Sequence, residues 1–181
     1  MNIRAELLRE HSARQTKRLT EYACSHPACL AELLQVFWYG EPRERQLAAD
    51  VLGWVGQRRP QWLVPHLPGL LVAAQPNPGQ HPALRRSVAR VLQFVPVPEA
   101  LQALAFDTCL GMLQSPAESV AIRAYALSAA VRLAMPYPEL TSELLAAVED
   151  VLATTKSAAL HSRAERELPK LRSVLREDLP G

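Results

Sequence analysis

No stretch of this chain carries a Gly-rich phosphate loop, a His-Glu-x-x-His pair or a Gly-x-Ser-x-Gly elbow. The commonest routes to nucleotide, zinc-peptidase and serine-hydrolase chemistry are therefore missing. No apolar run reaches the roughly 20 residues that a membrane helix needs. The opening MNIRAELLREHSARQTKR lacks the apolar core of a secretion signal, so the expected compartment is the cytoplasm. Cysteine is scarce and odd in number: Cys24, Cys29 and Cys109 fall in helical patterns and read as reduced thiols, not as a disulfide frame. Seven glycines against fifteen prolines suit many helix starts and few hairpins. With 49% apolar and 21% charged residues the chain is not a disordered one, and 181 residues make one domain by length.

What is present is a recurring helix pair, clearest in residues 98–133. Leu101, Leu104, Ala105, Thr108 and Met112 follow the steps of three and four that mark one helix face. Ser115-Pro116 breaks the pattern and offers a cap and a first-turn proline for a second helix. That helix carries Ile122, Ala126, Ala129 and Leu133 on one stripe, and its many alanines let a neighbour come close. Pro60, Pro98 and Pro138 open corresponding first helices. Gln46, Arg86, Arg123 and Arg163 align in the second helices at offsets of 40, 37 and 40 residues. A helix-pair period of that size belongs to the HEAT/armadillo class.

The residues 115–127, SPAESVAIRAYAL, resemble the HEAT pattern of a polar turn, an aliphatic-Arg pair, small residues and Leu. ALRRSVARVL at 83–92 and RQLAADVLG at 45–53 resemble it too. The chain is also similar to a group of small bacterial HEAT-like proteins, common in Bacteroidetes, some labelled adenylosuccinate lyase. That enzyme's signature loop has no match here, so the activity is not carried over. The resemblance implies an all-α, right-handed α-solenoid of about five helix pairs with no β-sheet. Residues 1–26 are expected to cap it at the amino end and 156–181 at the carboxyl end, with repeats over 27–155, the whole forming a single HEAT-like domain.

Local signals fill in the pairs. Ile3, Leu7 and Leu8 point inward from a short first helix, and Ser12 to Gln15 form a capping box. The helix 27–39 buries Leu30, Leu33, Leu34 and Phe37, and Gly40 supplies a left-handed stop. Its partner over 41–58 turns Leu47, Val51 and Trp54 or Val55 inward. Pro65 and Pro68 kink or split the helix of 60–75. The turn 76–82 is the long, mobile one. Helices follow over 82–95, 138–155 and 157–178, and Pro169 bends the last or starts another.

One charge asymmetry goes beyond fold. The first helices, at 27–39, 60–75, 98–114 and 138–155, contain seven acids and no Lys or Arg. The second helices with their adjoining turns hold fifteen Lys or Arg against eight acids, which a net charge of +2 conceals. The resemblance puts second helices on the concave face, implying a basic surface there of Arg85, Arg86, Arg90, Arg123 and Arg163. Such a surface attracts an acidic protein or peptide, or a nucleic-acid backbone. A binding role requires these side chains to be largely exposed and without carboxylate partners. The competing role for Arg86 and Arg123 is to bind the turn of an adjoining repeat.

Tyr39, Trp54 and Trp62 cluster near one repeat junction and are candidates for an aromatic pocket, Tyr39 being the most exposed. Cys24, His26 and Cys29 have metal-ligand chemistry, but a zinc site needs about four ligands, and buried thiols with a turn histidine are expected. No metal or cofactor is expected. The resulting reading is a non-catalytic binding module for an acidic partner. A nucleic-acid binder resembling the HEAT-like alkylpurine DNA glycosylases is the alternative: Trp54, Asp50 and Arg90 have the residue types, with Trp54 expected to face inward. A small-molecule enzyme ranks last.

Overall fold

A computed structural model describes residues 1–177, which form two compact units divided between Pro96 and Val97. Among the described residues there is no strand, and no helix is long and apolar enough to cross a membrane. The fold is all-α, built of helix pairs.

The first unit contains α1 (Ile3–Arg9), α2 (Ala13–Ala23), α3 (Pro27–Tyr39), α4 (Pro42–Arg58), α5 (Pro60–Leu63), a 3-10 turn (Val64–His66), α6 (Leu67–Ala73) and α7 (Pro82–Val91). In α1, Ile3 and Leu7 are buried and Leu8 is 53% exposed, because a four-residue step keeps one face and a five-residue step leaves it. Ser12 Oγ caps α2 by accepting from the Gln15 amide N–H at 3.1 Å. The other half of the expected capping box is absent. The Gln15 side chain donates instead to the Glu6 carbonyl at 2.6 Å, satisfying an orphan acceptor at the end of α1.

His26 and His81 cap α3 and α7 in the same way: Nδ1 accepts from the N–H of Ala28 at 3.2 Å and of Ala83 at 3.1 Å, each across a proline that opens the helix. Gly40 is not left-handed; its φ is −71°. A Cβ there would lie 2.6 Å from the Val36 carbonyl oxygen, so crowding demands the glycine. Glu41 and Glu44 form the capping box of α4. The prolines split the 60–75 segment as expected. α7 ends at Val91, short of 95, and a turn follows in which Gln93 and Phe94 donate to the carbonyls of Arg90 and Val91.

The core of this unit includes Leu33, Phe37, Leu52, Leu63, Leu67, Leu70 and Leu84. α4 and α7 pack at close range. A Cβ on Gly56 would meet Val91 Cγ2 at 2.9 Å and Cα at 3.1 Å, and one on Gly53 would meet Arg90 Cδ at 3.0 Å. Small residues let helix axes approach.

The second unit contains α8 (Glu99–Gln114), α9 (Val120–Ala134), α10 (Pro138–Thr154) and α11 (Ala158–Glu177). Pro98 is the N-cap of α8, just outside its first turn. Its inner face is Ala105, Phe106, Cys109, Met112 and Leu113, with Leu104 turned out at 45% exposure. Ser115 and Pro116 belong to the turn; Ser119 caps α9, its Oγ accepting from Ile122 N at 3.4 Å. The stripe Ile122, Ala126, Ala129 and Leu133 is buried as expected. α11 runs continuously through Pro169. It buries Leu160, Ala164 and Leu171, and it packs on α9 and α10.

Candidate functional site: the second-helix arginines

The fourth residue of each second helix has one job. Arg45 of α4 donates through Nε to the Phe37 carbonyl at 3.1 Å, and Arg123 of α9 donates through Nε to the Leu113 carbonyl at 2.8 Å. Arg85 of α7 reaches the Ala74 carbonyl through Nη1 at 2.5 Å. In α11 the position is His161, whose Nε2 lies 3.2 Å from the Thr155 carbonyl. Each acceptor is at the carboxyl end of the first helix of the same pair, where carbonyls lack intrahelical partners and the helix dipole favours a cation. The structural register is therefore Arg45, Arg85, Arg123 and His161. The alignment through Gln46, Arg86 and Arg163 is off by one or two residues, because matching letters does not count positions from the helix start.

Arg86 and Arg90, the next positions along α7, face α4. Arg86 is paired with the Asp50 carboxylate, so the expectation of no carboxylate partner fails for it. His11, from the α1–α2 connection, lies 3.6 Å from the other Asp50 oxygen. Arg90 lies over the Trp54 ring with its Cζ 3.3 Å from the centroid. Trp54 is 41% exposed and Val55 takes the buried position, which corrects the inward placement of Trp54. Asp50 and Trp54 are one turn apart, as are Arg86 and Arg90, so the two contacts form successive rungs between α4 and α7.

In the second unit the corresponding contact joins α9 and α11. Arg163 donates to Ser128 Oγ at 2.8 Å, Ser128 donates to Glu167 at 2.6 Å, and Lys170 lies 2.7 Å from Glu167. Glu167 is only 7% exposed, and these donors compensate its charge. The Arg132 guanidinium, half-buried on the same helix as Ser128, is pushed below its usual range by desolvation.

The aromatic residues do not act together. Tyr39 is 77% exposed at the end of α3. Trp62 is half-buried with the Arg59 guanidinium 5.3 Å from its ring centroid. Trp38, also half-buried, lies edge-on to Phe37 at 4.6 Å and against Gly69. Cys24, His26 and Cys29 are occupied separately: His26 caps α3, Cys24 is buried, and the Cys29 sulfur lies 3.7 Å from Ser25 Oγ.

These helix pairs, each second helix stitched by its fourth residue to the helix before it, define a helical-repeat protein. The model of the HEAT repeat domain family matches residues 3–171, and the chain belongs to that family. No curated protein and no solved structure matches the chain.

Proposed function

We propose that the chain is a non-catalytic binding module whose second helices present a basic surface to an acidic peptide or protein. The charge segregation carries this reading: α3, α5, α6, α8 and α10 lack Lys and Arg, whereas their partners α4, α7, α9 and α11 hold thirteen of the twenty. HEAT repeats generally serve as interaction scaffolds, which supports a protein partner. Arg86, paired with Asp50, does not meet the requirement of lacking a carboxylate partner, so the reading rests on the segregation and not on that residue's being unpaired. A guanidinium has five N–H donors, and the pair with Asp50 engages Nη2 of Arg86. Held in place, it loses less rotamer entropy on meeting a carboxylate. Arg86 remains 40% exposed while paired.

The test is fluorescence anisotropy with labelled poly-glutamate and with a mixed-sequence DNA duplex, over a salt series. Poly-glutamate is expected to bind, and Arg90→Glu to weaken it several-fold. No binding of poly-glutamate at low salt overturns the reading. A second reading, nucleic-acid binding, is favoured by the exposed Trp54 beside Asp50 and Arg90, the aromatic, acidic and basic residue types of the alkylpurine DNA glycosylases. It predicts that the duplex binds more tightly and that log K falls linearly with log salt.

A further inference from the structure

The second unit holds an open cleft of about 520 Å³, where the carboxyl ends of α8 and α10 meet the first turns of α9. Its charged lining is Arg123, Asp150 and Lys156, and Pro116, Ala147 and Val151 contribute an apolar wall. The volume is in the range of small-ligand pockets.

The three charges come from three elements: Arg123 from α9, Asp150 from α10 and Lys156 from the turn before α11. Arg123 is anchored by one nitrogen only, Nε on the Leu113 carbonyl, which fixes the guanidinium plane and leaves its terminal N–H groups for another acceptor. Asp150 and Lys156 enter no ion pair among the described residues, although both line the same cleft. Two cations and one carboxylate leave a single positive charge to be matched. A dianion such as a phosphate monoester would put its second charge against Asp150, and a monoanion does not. The apolar wall has the character to take an aliphatic group beside that anion.

We infer that this cleft seats one carboxylate of the acidic partner, held between Arg123 and Lys156 with a neighbouring aliphatic side chain against Val151. The inference rests on the acidic-partner reading above and locates its anchor. The carboxylate is either a chain terminus or a Glu or Asp side chain, and the two sources are separable by experiment.

Three short labelled peptides of Ala and Leu serve as probes on the full chain: one with a free terminal carboxylate, one amidated, and one amidated with a single internal Glu. Binding by the first alone assigns a terminus, and binding by the third assigns a side chain; either supports the inference. Equal binding of the neutral amidated peptide, or binding of none of the three, overturns it. Lys156→Glu, at an exposed turn position, is expected to weaken the bound peptide about tenfold, as charge reversal beside a carboxylate does near a surface. Asp150→Lys, also exposed, is expected to tighten it several-fold. If both variants bind as the parent does, the cleft is not the seat. Poly-glutamate then distinguishes the two failures: weakening by Arg90→Glu alone leaves the acidic-partner reading standing, and no binding to the parent removes that reading as well.

Discussion

The Arg90 guanidinium of α7 lies over the indole of Trp54, its Cζ 3.3 Å from the ring centroid, while its aliphatic stem passes Gly53 of α4, where a Cβ would meet Cδ at 3.0 Å. A charged side chain thus covers an aromatic face that would otherwise meet water. Cation–π contacts of this kind contribute about 0.5–2 kcal/mol. A double-mutant cycle of Arg90→Ala and Trp54→Ala, read by urea denaturation, is expected to show coupling of that size. Additive single effects would mean that the stacking carries no energy.

Gly56 and Gly111 both lie inside helices and should respond oppositely to alanine. At Gly56 the new methyl group would meet the Val91 side chain at 2.9 Å and its Cα at 3.1 Å, and the Cα cannot move without moving α7. Gly56→Ala is expected to destabilise by roughly 1–3 kcal/mol, the usual cost of overpacking. Nothing lies within 4 Å of a Cβ on Gly111, which is exposed on α8. Gly111→Ala is expected to stabilise by about 0.5–1 kcal/mol through helix propensity alone. Thermal melts of the two variants check the pair.

Arg45 and Arg123 each satisfy a carbonyl at the end of the preceding helix. Replacing either by Ala is expected to cost roughly 1–3 kcal/mol, because the acceptor loses its charged donor. Lys at the same place should restore only part of this, since the bond is made by Nε, which Lys lacks. Equal stability of the Ala and parent chains in denaturant would remove the stitching role.

Burial pushes the Cys109 thiol up to about 12 from its ordinary value of 9.0. Above pH 9 the unfolded chain loses this proton while the folded chain keeps it. The folded state then binds more protons, and stability falls as pH rises, by about 1.4 kcal/mol per pH unit between the two values. Below pH 9 the thiol is protonated in both states and contributes nothing to the pH dependence. Cys109→Ala is expected to flatten the alkaline limb of a stability–pH curve. At pH 8, iodoacetamide is expected to label the half-buried Cys29 and to reach Cys109 only under unfolding conditions; rapid labelling of Cys109 in the folded chain would contradict its burial.

The helix pairs were legible in the sequence because their determinants are local. Pro27, Pro42, Pro82 and Pro138 stand at helix starts, the 3.6-residue period marks the buried stripes, and Pro65 with Pro68 divides a helix wherever it lies. Charge segregation was legible for the same reason, since it needs only the helix boundaries. What the tertiary structure decided were choices between neighbours. Val55 is buried and Trp54 is not, Ala105 is buried and Leu104 is not, and Leu7 is buried and Leu8 is not. An apolar stripe spans over 100° of a helix, so adjacent apolar residues both qualify until a partner helix selects one. The arginines show the same limit. Arg85 and Arg86 are consecutive and alike in sequence, yet one reaches back along its own pair to the Ala74 carbonyl and the other crosses to Asp50. One residue is a 100° rotation about the helix, and only the placement of α4 and α6 around α7 determines which acceptor each rotation meets.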